Sequence, residues 1–321
     1  MRRALVTGAT GQDGSYLVER LLLDGWEVHA LVRDTIVDGE TAVPENVHPH
    51  LGDLADRDAL SRLVNAVEPD LIVNLGGITS VGRSWQEPSL TGLISGVAAV
   101  TLMESALRLQ ERRGSEVRVV QASSAEMFGA AQQIPQTETT PLRPVSPYGA
   151  AKAYAHETAG MLRERGLAVS CAILYNHESP RRPTGFVTRR ITSAAARIAR
   201  GLDHELTLGN LDARRDWGWA PDYVDAMLRM TRAEPDDFVV ATGVAHSVRD
   251  FVAAAFTAAG ITDWEQYIRV DPAFLRPDDA PLQLGDASRA RERLGWSSTM
   301  DFDGVVGAMV YADLEGPSTR L

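Results

Sequence analysis

The sequence predicts a doubly wound α/β fold, in which helices cover both faces of a parallel sheet. Short apolar runs alternate with amphipathic stretches through the first half of the chain, and a glycine-rich turn follows the first run. Strands separated by helices form βαβ units with right-handed crossovers. We expect a smaller α/β unit, interleaved with the first, beyond about residue 175.

The elements follow from this alternation. Strands are predicted at 4–6, 27–32, 71–75, 117–122, 168–174 and 238–241. Helices are predicted at 14–24, 57–67, 92–112, 148–165, 188–200, 222–232 and 251–259, the last after the capping-box spacing of Ser247 and Asp250. Two short helices should follow a Pro-rich loop at 276–281. We assign 1–175 plus about 216–243 to the larger unit and about 176–215 plus 244–321 to the smaller.

The composition of the chain excludes several classes of protein. It has 321 residues, 44% of them hydrophobic, and a formal charge of −11, so a polyanion such as nucleic acid or an anionic membrane would be repelled. We expect no membrane span and no secretory leader, because the apolar runs are short. Cys171 is the single cysteine and cannot form an internal disulfide. A reducing cytoplasm is the expected compartment.

A glycine-rich turn lies between the first predicted strand and helix. Gly8, Gly11 and Gly14 follow the apolar run, with Gln12 and Asp13 between the last two. Glycine allows a tight turn and close approach to a pyrophosphate, whose charge the helix N-terminus favours. The alternative is a purely structural turn. In this strand-turn-helix context we predict a dinucleotide site of the Rossmann type.

The end of the second strand should choose between NADP and NAD. An arginine there pairs with a 2′-phosphate, whereas an acidic residue accepts from a free 2′-hydroxyl. Arg33 comes first and Asp34 follows, so we predict NADP, with NAD less favoured; a solvated charge pair is the alternative. Further cofactor contacts are expected from residues after the next two apolar segments, namely Asp53, Leu54, Leu75 and Gly77.

Tyr148 and Lys152 form the sharpest chemical pattern. Their i, i+4 spacing places both on one helix face, and Lys152 is the single lysine among 32 basic residues. An ammonium near a phenol favours the phenolate, so we expect the pKa of Tyr148 to be lowered toward the range of a general base. A chance lysine is the alternative. We predict that both residues are catalytic and that both contact the cofactor.

Five segments resemble the GDP-mannose 4,6-dehydratase family of the extended short-chain dehydrogenase/reductase superfamily. They read QASSAEMFG at 121–129, SPYGAAK at 146–152, NHESPRR at 176–182, GNLDARRDWG at 209–218 and DPAFLRP at 271–277. The resemblance runs from residue 4 to about 315. It implies NADP as cofactor, GDP-mannose as substrate, and the elimination of water without net redox change.

The resemblance also implies roles for single residues. Ser124 and Glu126 would join Tyr148 and Lys152 as catalytic residues, with Glu126 removing the C5 proton. His177 and Arg182 would lie at the cofactor. The implied substrate-binding residues are Ser84, Asn176, Val187, Arg190, Arg215, Arg276 and Asp279. The family usually has Lys at the position of Arg190 and Glu at that of Asp279.

The residues themselves agree with this chemistry. A carboxylate two residues past a hydroxyl, at the end of a strand, lies at the carboxyl edge of a parallel sheet, where ligands bind. A surface glutamate that caps a loop is the alternative for Glu126. The paired arginines 181–182 and 214–215 fit a diphosphate, with a solvated basic face as the alternative. We expect no metal site, and a structural role for His177 over metal binding.

Several functions remain open at this point. A related nucleotide-sugar reductase or epimerase would use Tyr148 and Lys152 but not Glu126, and a dehydratase for another sugar nucleotide would keep all three. A non-catalytic cofactor-binding partner has no use for these groups. Because the loop 33–44 is short and mixed in charge, we expect a homodimer before a tetramer.

Overall fold

The computed structural model describes residues 2–33, 41–274 and 282–316. The strands, in chain order, are β1 (Arg3–Thr7), β2 (Glu27–Val32), β3 (His48–Leu51), β4 (Leu71–Asn74), β5 (Arg118–Ser124), β6 (Ala168–Leu174), β7 (Asn176–Glu178), β8 (Leu206–Leu208), β9 (Arg214–Trp219), β10 (Asp237–Val240), β11 (Ala245–Ser247), β12 (Ile268–Val270) and β13 (Leu282–Gln283). The α-helices are α1 (Gln12–Leu23), α2 (Arg57–Val67), α3 (Val81–Gln86), α4 (Pro88–Thr91), α5 (Ala98–Arg113), α6 (Pro147–Glu164), α7 (Val187–Ala199), α8 (Ala220–Met230), α9 (Val248–Ala258), α10 (Ser288–Leu294) and α11 (Phe302–Glu315).

Seven parallel strands form the main sheet, in the order β10-β6-β5-β4-β1-β2-β3. The chain winds outward from β1 through β2 to β3, and then returns to build β4, β5, β6 and β10 on the other side. This reversal between β1 and β4 leaves a crevice at the carboxyl ends of the strands, where ligands bind in such sheets. The predicted doubly wound fold is confirmed.

Helices cover both faces of this sheet because each strand presents apolar residues on both sides. On one face α1 and α8 bury residues such as Leu17, Leu21 and Met227. On the other face α2, α5 and α6 bury residues such as Leu60 and Met103. Both faces of the sheet are thereby removed from water.

A second core, between α7, α9 and α11, supports a four-stranded sheet in which β9 is central. Trp217 of β9 and Phe251 of α9 meet edge to face there, with ring centroids 5.2 Å apart. Two elements cross the boundary predicted between the units. Strand β9 pairs with β7, β11 and β13 of the small sheet, whereas α10 packs Ala290 and Leu294 into the core of the large sheet.

Among the described residues, one helical stretch, Pro88–Arg113, has the length and composition of a membrane span, but 67% of its apolar window is buried inside the protein. Residues Gly92–Val97 of this stretch form a π-helical segment. Such segments often mark functional sites. Here it places the Ser95 hydroxyl 3.0 Å from the backbone nitrogen of Ile78, beside the crevice.

Candidate active site

A cleft of about 490 Å³ opens at the carboxyl edge of the main sheet and is lined by residues of both units. It brings together twelve of the residues predicted from the sequence. They are Asp13, Leu75, Ser124, Glu126, Tyr148, Lys152, Asn176, His177, Arg182, Val187, Arg190 and Arg215. Residues from distant parts of the chain therefore share one cavity.

The backbone of the glycine-rich turn packs so closely at Gly8 and Gly14 that a larger residue would not fit there. We call this turn the glycine cradle. Gly8 has φ of +69°, and a Cβ atom on it would lie 2.8 Å from the backbone nitrogen of Gly76. A Cβ atom on Gly14 would lie 2.0 Å from the Gly8 carbonyl oxygen. Helix α1 starts directly after Gly11 without a side-chain cap, so its first N–H groups face the turn. This arrangement fits a pyrophosphate at the helix N-terminus.

Asp13 and His177 join the turn to the second unit. The Nε2 atom of His177 lies 2.9 Å from Asp13 Oδ2, and its Nδ1 atom lies 2.6 Å from the Tyr175 carbonyl oxygen. Burial opposes the ionisation of Asp13, but His177 and then Arg182 outweigh it and hold the pKa of the carboxyl below its ordinary value. Asp13 is therefore a fixed negative charge in the cleft.

Gln12 is buried at the same junction. Its Nε2 atom donates to the His177 carbonyl at 3.0 Å, and its Oε1 atom accepts from the Ser179 hydroxyl at 2.9 Å. These contacts fasten β7 to α1.

Helix α6 presents Tyr148 and Lys152 to the cleft. The Ser146 hydroxyl caps the helix by accepting from the Gly149 N–H at 3.1 Å. The Lys152 Nζ atom donates to the Ala122 carbonyl oxygen at 2.8 Å and lies 5.9 Å from the centroid of the Tyr148 ring. Both side chains are more than nine-tenths buried.

The prediction that the pKa of Tyr148 is lowered was wrong, because the surroundings that the protein provides raise it. Burial raises the pKa of Tyr148 to about 12; the Ser124 hydroxyl opposes this shift and the Glu126 carboxylate adds to it. Burial also lowers the pKa of Lys152 to about 8. Burial is the largest cause of both shifts, because water is largely excluded from both side chains.

Glu126 lies beside these groups, in a short 3₁₀ turn directly after β5. The Ser124 hydroxyl caps this turn by accepting from the Glu126 N–H at 3.2 Å. One carboxylate oxygen of Glu126 accepts from the Gln283 side-chain amide at 3.1 Å. Ser124 thus fixes the backbone of Glu126, and Gln283 holds its carboxylate at the wall of the cleft.

The two arginine pairs are split by the fold. Arg182 and Arg215 line the cleft. Arg181 instead stacks on Tyr16, with its guanidinium carbon 3.9 Å from the ring centroid, and Arg214 is exposed on β9. One arginine of each pair therefore lines the cleft, where the Arg182 guanidinium is paired with the Glu178 carboxylate at 2.7 Å.

The predicted substrate residues are placed unequally. Asn176 starts β7 and Val187 starts α7, both on the cleft wall, and Arg190 stacks on Phe274 with 5.0 Å between the guanidinium carbon and the ring centroid. Ser84 is fully buried, and its hydroxyl donates to the Val81 carbonyl of its own helix at 2.6 Å. It therefore does not face the cleft. Arg276 and Asp279 lie outside the described residues.

The remaining predicted cofactor residues lie around the crevice. Arg33 is exposed at the end of β2; Asp34 lies outside the described residues. Asp53 is exposed after β3, and its carboxylate accepts from the Ala55 N–H at 2.8 Å. Gly77 is small where a Cβ atom would lie 3.1 Å from the Ser95 hydroxyl. Leu54 lies against Gly76, with its Cδ1 atom 2.7 Å from where a Cβ atom would be.

A buried polar cluster, which the sequence patterns did not predict, includes His156, four residues after Lys152 on α6. His156 Nδ1 lies 3.1 Å from the Ser123 hydroxyl, and ligand atoms of His156, Cys171 and Asp237 lie within 4.8 Å of one another. Arg163 already places a positive charge 2.5 Å from the Asp237 carboxylate, and burial raises the pKa of the Cys171 thiol. These contacts explain the cluster as a buried hydrogen-bond network. The helical spacing of 152 and 156 was its only sequence signal.

Comparison with known proteins decides the family. A family model described as GDP-mannose 4,6 dehydratase matches residues 5–309. The chain belongs to this family. GDP-mannose 4,6 dehydratase 1 of Arabidopsis thaliana is 42% identical, over 97% of this chain and 90% of the relative. The human GDP-mannose 4,6 dehydratase is 40% identical, over 97% of this chain and 91% of the relative.

A solved structure outside the GDP-mannose 4,6-dehydratase family shows the same fold. The UDP-glucose 4-epimerase of Thermus thermophilus, solved in complex with NAD, superposes with a TM-score of 0.84 at 26% identity, covering 98% of this chain and 99% of that one. Together with the glycine cradle, this likeness supports a nicotinamide cofactor in the family member described here.

Proposed function

We propose that this protein converts GDP-mannose to GDP-4-keto-6-deoxymannose and water, with no net oxidation or reduction. The observation that carries the proposal is the meeting of two groups in one cleft. The Glu126 carboxylate lies close enough to Tyr148 to raise the pKa of its phenol, and both line the cavity. Removal of hydride from C4 needs the tyrosine as the base for the C4 hydroxyl. Elimination of water across C5 and C6 needs a second base.

The residues present fit a nicotinamide dinucleotide. The Gly8–Gly14 turn and the start of α1 would hold the pyrophosphate, and Lys152 would lie at the nicotinamide ribose. The chemistry that a bound nicotinamide would supply is to accept a hydride from the sugar and later to return it. We propose NADP over NAD, because Arg33 at the end of β2 is exposed and offers a guanidinium for a 2′-phosphate.

Tyr148 acts on the C4 hydroxyl in the first step. Its oxygen, as phenolate, would take the hydroxyl proton while the C4–H bond breaks and its hydride leaves to a bound nicotinamide. Burial and Glu126 oppose formation of the phenolate by raising the pKa of Tyr148, whereas Ser124 lowers it and so assists. The Lys152 ammonium, anchored on the Ala122 carbonyl, stabilises the phenolate from which this transfer starts.

Glu126 acts on C5 in the second step. A ketone at C4 acidifies the C5 proton, and the Glu126 carboxylate removes it while the C6–O bond breaks. The C5 proton and the C6 hydroxyl together make up the water that is lost. The proton first taken from the C4 hydroxyl balances the proton that C5 regains when the hydride arrives at C6. Atoms and electrons are therefore conserved without an external reductant.

We further propose that Arg215 holds the diphosphate of GDP-mannose, while Arg182, which is paired with Glu178 at 2.7 Å, lies at the cofactor. A guanidinium pairs bidentately with phosphate oxygens, which suits a chain whose overall charge is negative. Asn176, Val187 and Arg190 line the part of the cleft formed by β7 and α7, where they would contact the sugar nucleotide.

We propose a homodimer formed through α6. Tyr154 and Met161 of this helix are 51% and 62% exposed, and their i, i+7 spacing places them on one face. Trp85 of the adjoining α3 is 58% exposed. Such apolar exposure is typical of an interface.

We propose that the protein acts in the cytoplasm, where its single thiol would stay reduced.

Mass spectrometry of GDP-mannose incubated with the enzyme tests the proposed reaction. Loss of one water without added reductant is the expected result. A product of unchanged mass would point to an epimerase, and stoichiometric consumption of added NADPH would point to a reductase. Either outcome would contradict the proposal.

A further inference from the structure

The side chain of Gln283 reaches from the small sheet to the carboxylate of Glu126. Its Nε2 atom donates to Glu126 Oε1 at 3.1 Å, and Gln283 itself is only 4% exposed. Gln283 does not line the cleft, whereas Glu126 does. The amide therefore contacts the carboxylate from behind, on the protein side.

The other end of this amide lacks a partner. Within the described chain, Gln283 Oε1 is buried and accepts no hydrogen bond. A buried, unsatisfied carbonyl oxygen costs stability, so an apolar side chain of the same size would suit the packing better. The contact with Glu126 is then the reason for an amide at this position.

The backbone around Gln283 is held on both sides. In β13, Gln283 lies opposite Arg215 of β9. On the other side, the Gln136 N–H donates to the Leu284 carbonyl at 2.8 Å, and the Asp286 N–H donates to the Gln136 carbonyl at 2.8 Å. A donor fixed in this way holds its acceptor in one orientation.

We propose that Gln283 is a positioning residue that aims the Glu126 carboxylate at the substrate, and that it links the base to the strand pair carrying Arg215. The inference rests on the proposed function, because it requires Glu126 to be the base for C5. An anchored Arg215 and an oriented Glu126 would then be set at a constant separation by β9 and β13. Binding of the diphosphate end would place C5 in front of the carboxylate.

Gln283→Leu removes the donor without emptying the site, because leucine keeps the approximate volume of the side chain. Since this variant loses a hydrogen bond to the charged Glu126 carboxylate, it should lower kcat about 10- to 100-fold. The KM for GDP-mannose and the rapid reduction of bound cofactor on mixing should stay near the wild-type values, whereas C5 exchange in deuterated water should slow as much as kcat.

Thermal unfolding separates positioning from a structural role. Gln283→Leu removes an unsatisfied carbonyl, so its midpoint should equal or exceed that of the wild type. A lower midpoint together with slower cofactor reduction would show that Gln283 supports the fold and would overturn the proposal. Gln266→Leu is the matched control, because Gln266 is exposed and its amide donates only to the Asp263 carbonyl of a surface turn.

A double-mutant cycle with Glu126→Gln completes the test. If Gln283 acts through Glu126, Gln283→Leu should cause no further loss in the Glu126→Gln background. Additive losses, or unchanged turnover of Gln283→Leu, would overturn the positioning role alone. Normal C5 exchange in Glu126→Gln would show that Glu126 is not the base for C5 and would also overturn the positioning role, whereas GDP-mannose that loses no water would refute the proposed function itself.

Discussion

The Lys152 ammonium lies 5.9 Å from the centroid of the Tyr148 ring, and burial favours the neutral form of both groups. Burial raises the pKa of Tyr148 to about 12 and lowers the pKa of Lys152 to about 8. As pH rises from neutral, Lys152 therefore loses its charge near pH 8, while Tyr148 stays protonated. The pair is therefore sensitive to alkaline pH through its cation.

Alkaline pH should inactivate the free enzyme. Because Lys152 loses its proton as pH rises through about 8, kcat/KM should fall with a single limb near that pH. Lys152→Arg keeps the charge at every accessible pH and should have lower activity but no limb there. A pH profile of kcat/KM for both proteins checks this, and an unchanged limb in the variant would assign it to another group.

Glu126→Gln should separate the two chemical steps. The amide keeps the shape of the side chain and removes the base, so product formation and C5 exchange should fall about 10²–10⁴-fold. Reduction of bound cofactor on mixing with GDP-mannose depends on Tyr148 and should persist. Stopped-flow absorbance and deuterium incorporation measure the two steps.

Tyr148→Phe is the counterpart. It removes the phenol oxygen and should abolish the first hydride step, so that neither cofactor reduction nor C5 exchange is seen. Rapid cofactor reduction by this variant would show that another group takes the C4 hydroxyl proton.

Arg215→Ala should weaken binding of GDP-mannose by about 1.5–3 kcal/mol, the range for hydrogen bonds to charged groups. Arg214→Ala is the control, since Arg214 is exposed and its guanidinium donates to the Ala245 carbonyl. Calorimetric titration of both variants with GDP-mannose and with cofactor decides the matter. Equal losses in the two variants would mean that general positive charge, and not the cleft position, matters.

Arg33→Ala should weaken NADP binding and leave NAD binding nearly unchanged. The guanidinium pairs with a 2′-phosphate, which NAD lacks. Titration of wild type and variant with each cofactor gives the comparison. Tighter binding of NAD than NADP by the wild type would remove the basis of the proposed preference.

Gly14→Ala should destabilise the glycine turn. The added Cβ atom would lie 2.0 Å from the Gly8 carbonyl oxygen, so we expect a loss of about 1–3 kcal/mol or more and much weaker cofactor binding. Gly160→Ala is the matched control, because a Cβ atom there meets nothing within 4 Å in helix α6. It should raise stability by about 0.4–1 kcal/mol. Denaturant titrations measure both changes.

Local patterns predicted most of the main sheet. The predicted strands 27–32 and 168–174 coincide with β2 and β6, because their apolar runs are bounded by turns and helices. Strand β3 was not predicted, since three of its four residues are His48, Pro49 and His50. It forms because β2 offers a free edge, with His29 opposite His48. The last helix, α11, has 14 residues where a short one was expected.

Three short sequence patterns were enough to identify the chemical groups of the site: a glycine turn before a helix, one lysine four residues after a tyrosine, and a glutamate two residues after a serine. These patterns lie within a few residues of one another, where helix and turn geometry relates spacing to position. The family and the doubly wound fold followed from the same short segments.

Which groups meet, and in what environment, depends on how the chain folds. Folding separates the two arginines of each pair, buries Ser84, and brings Gln283 to Glu126 across 157 positions of sequence. It also reversed the expected shift in the pKa of Tyr148. Burial and long-range contact depend on how strands and helices stack, and no spacing along the chain encodes the water that packing excludes.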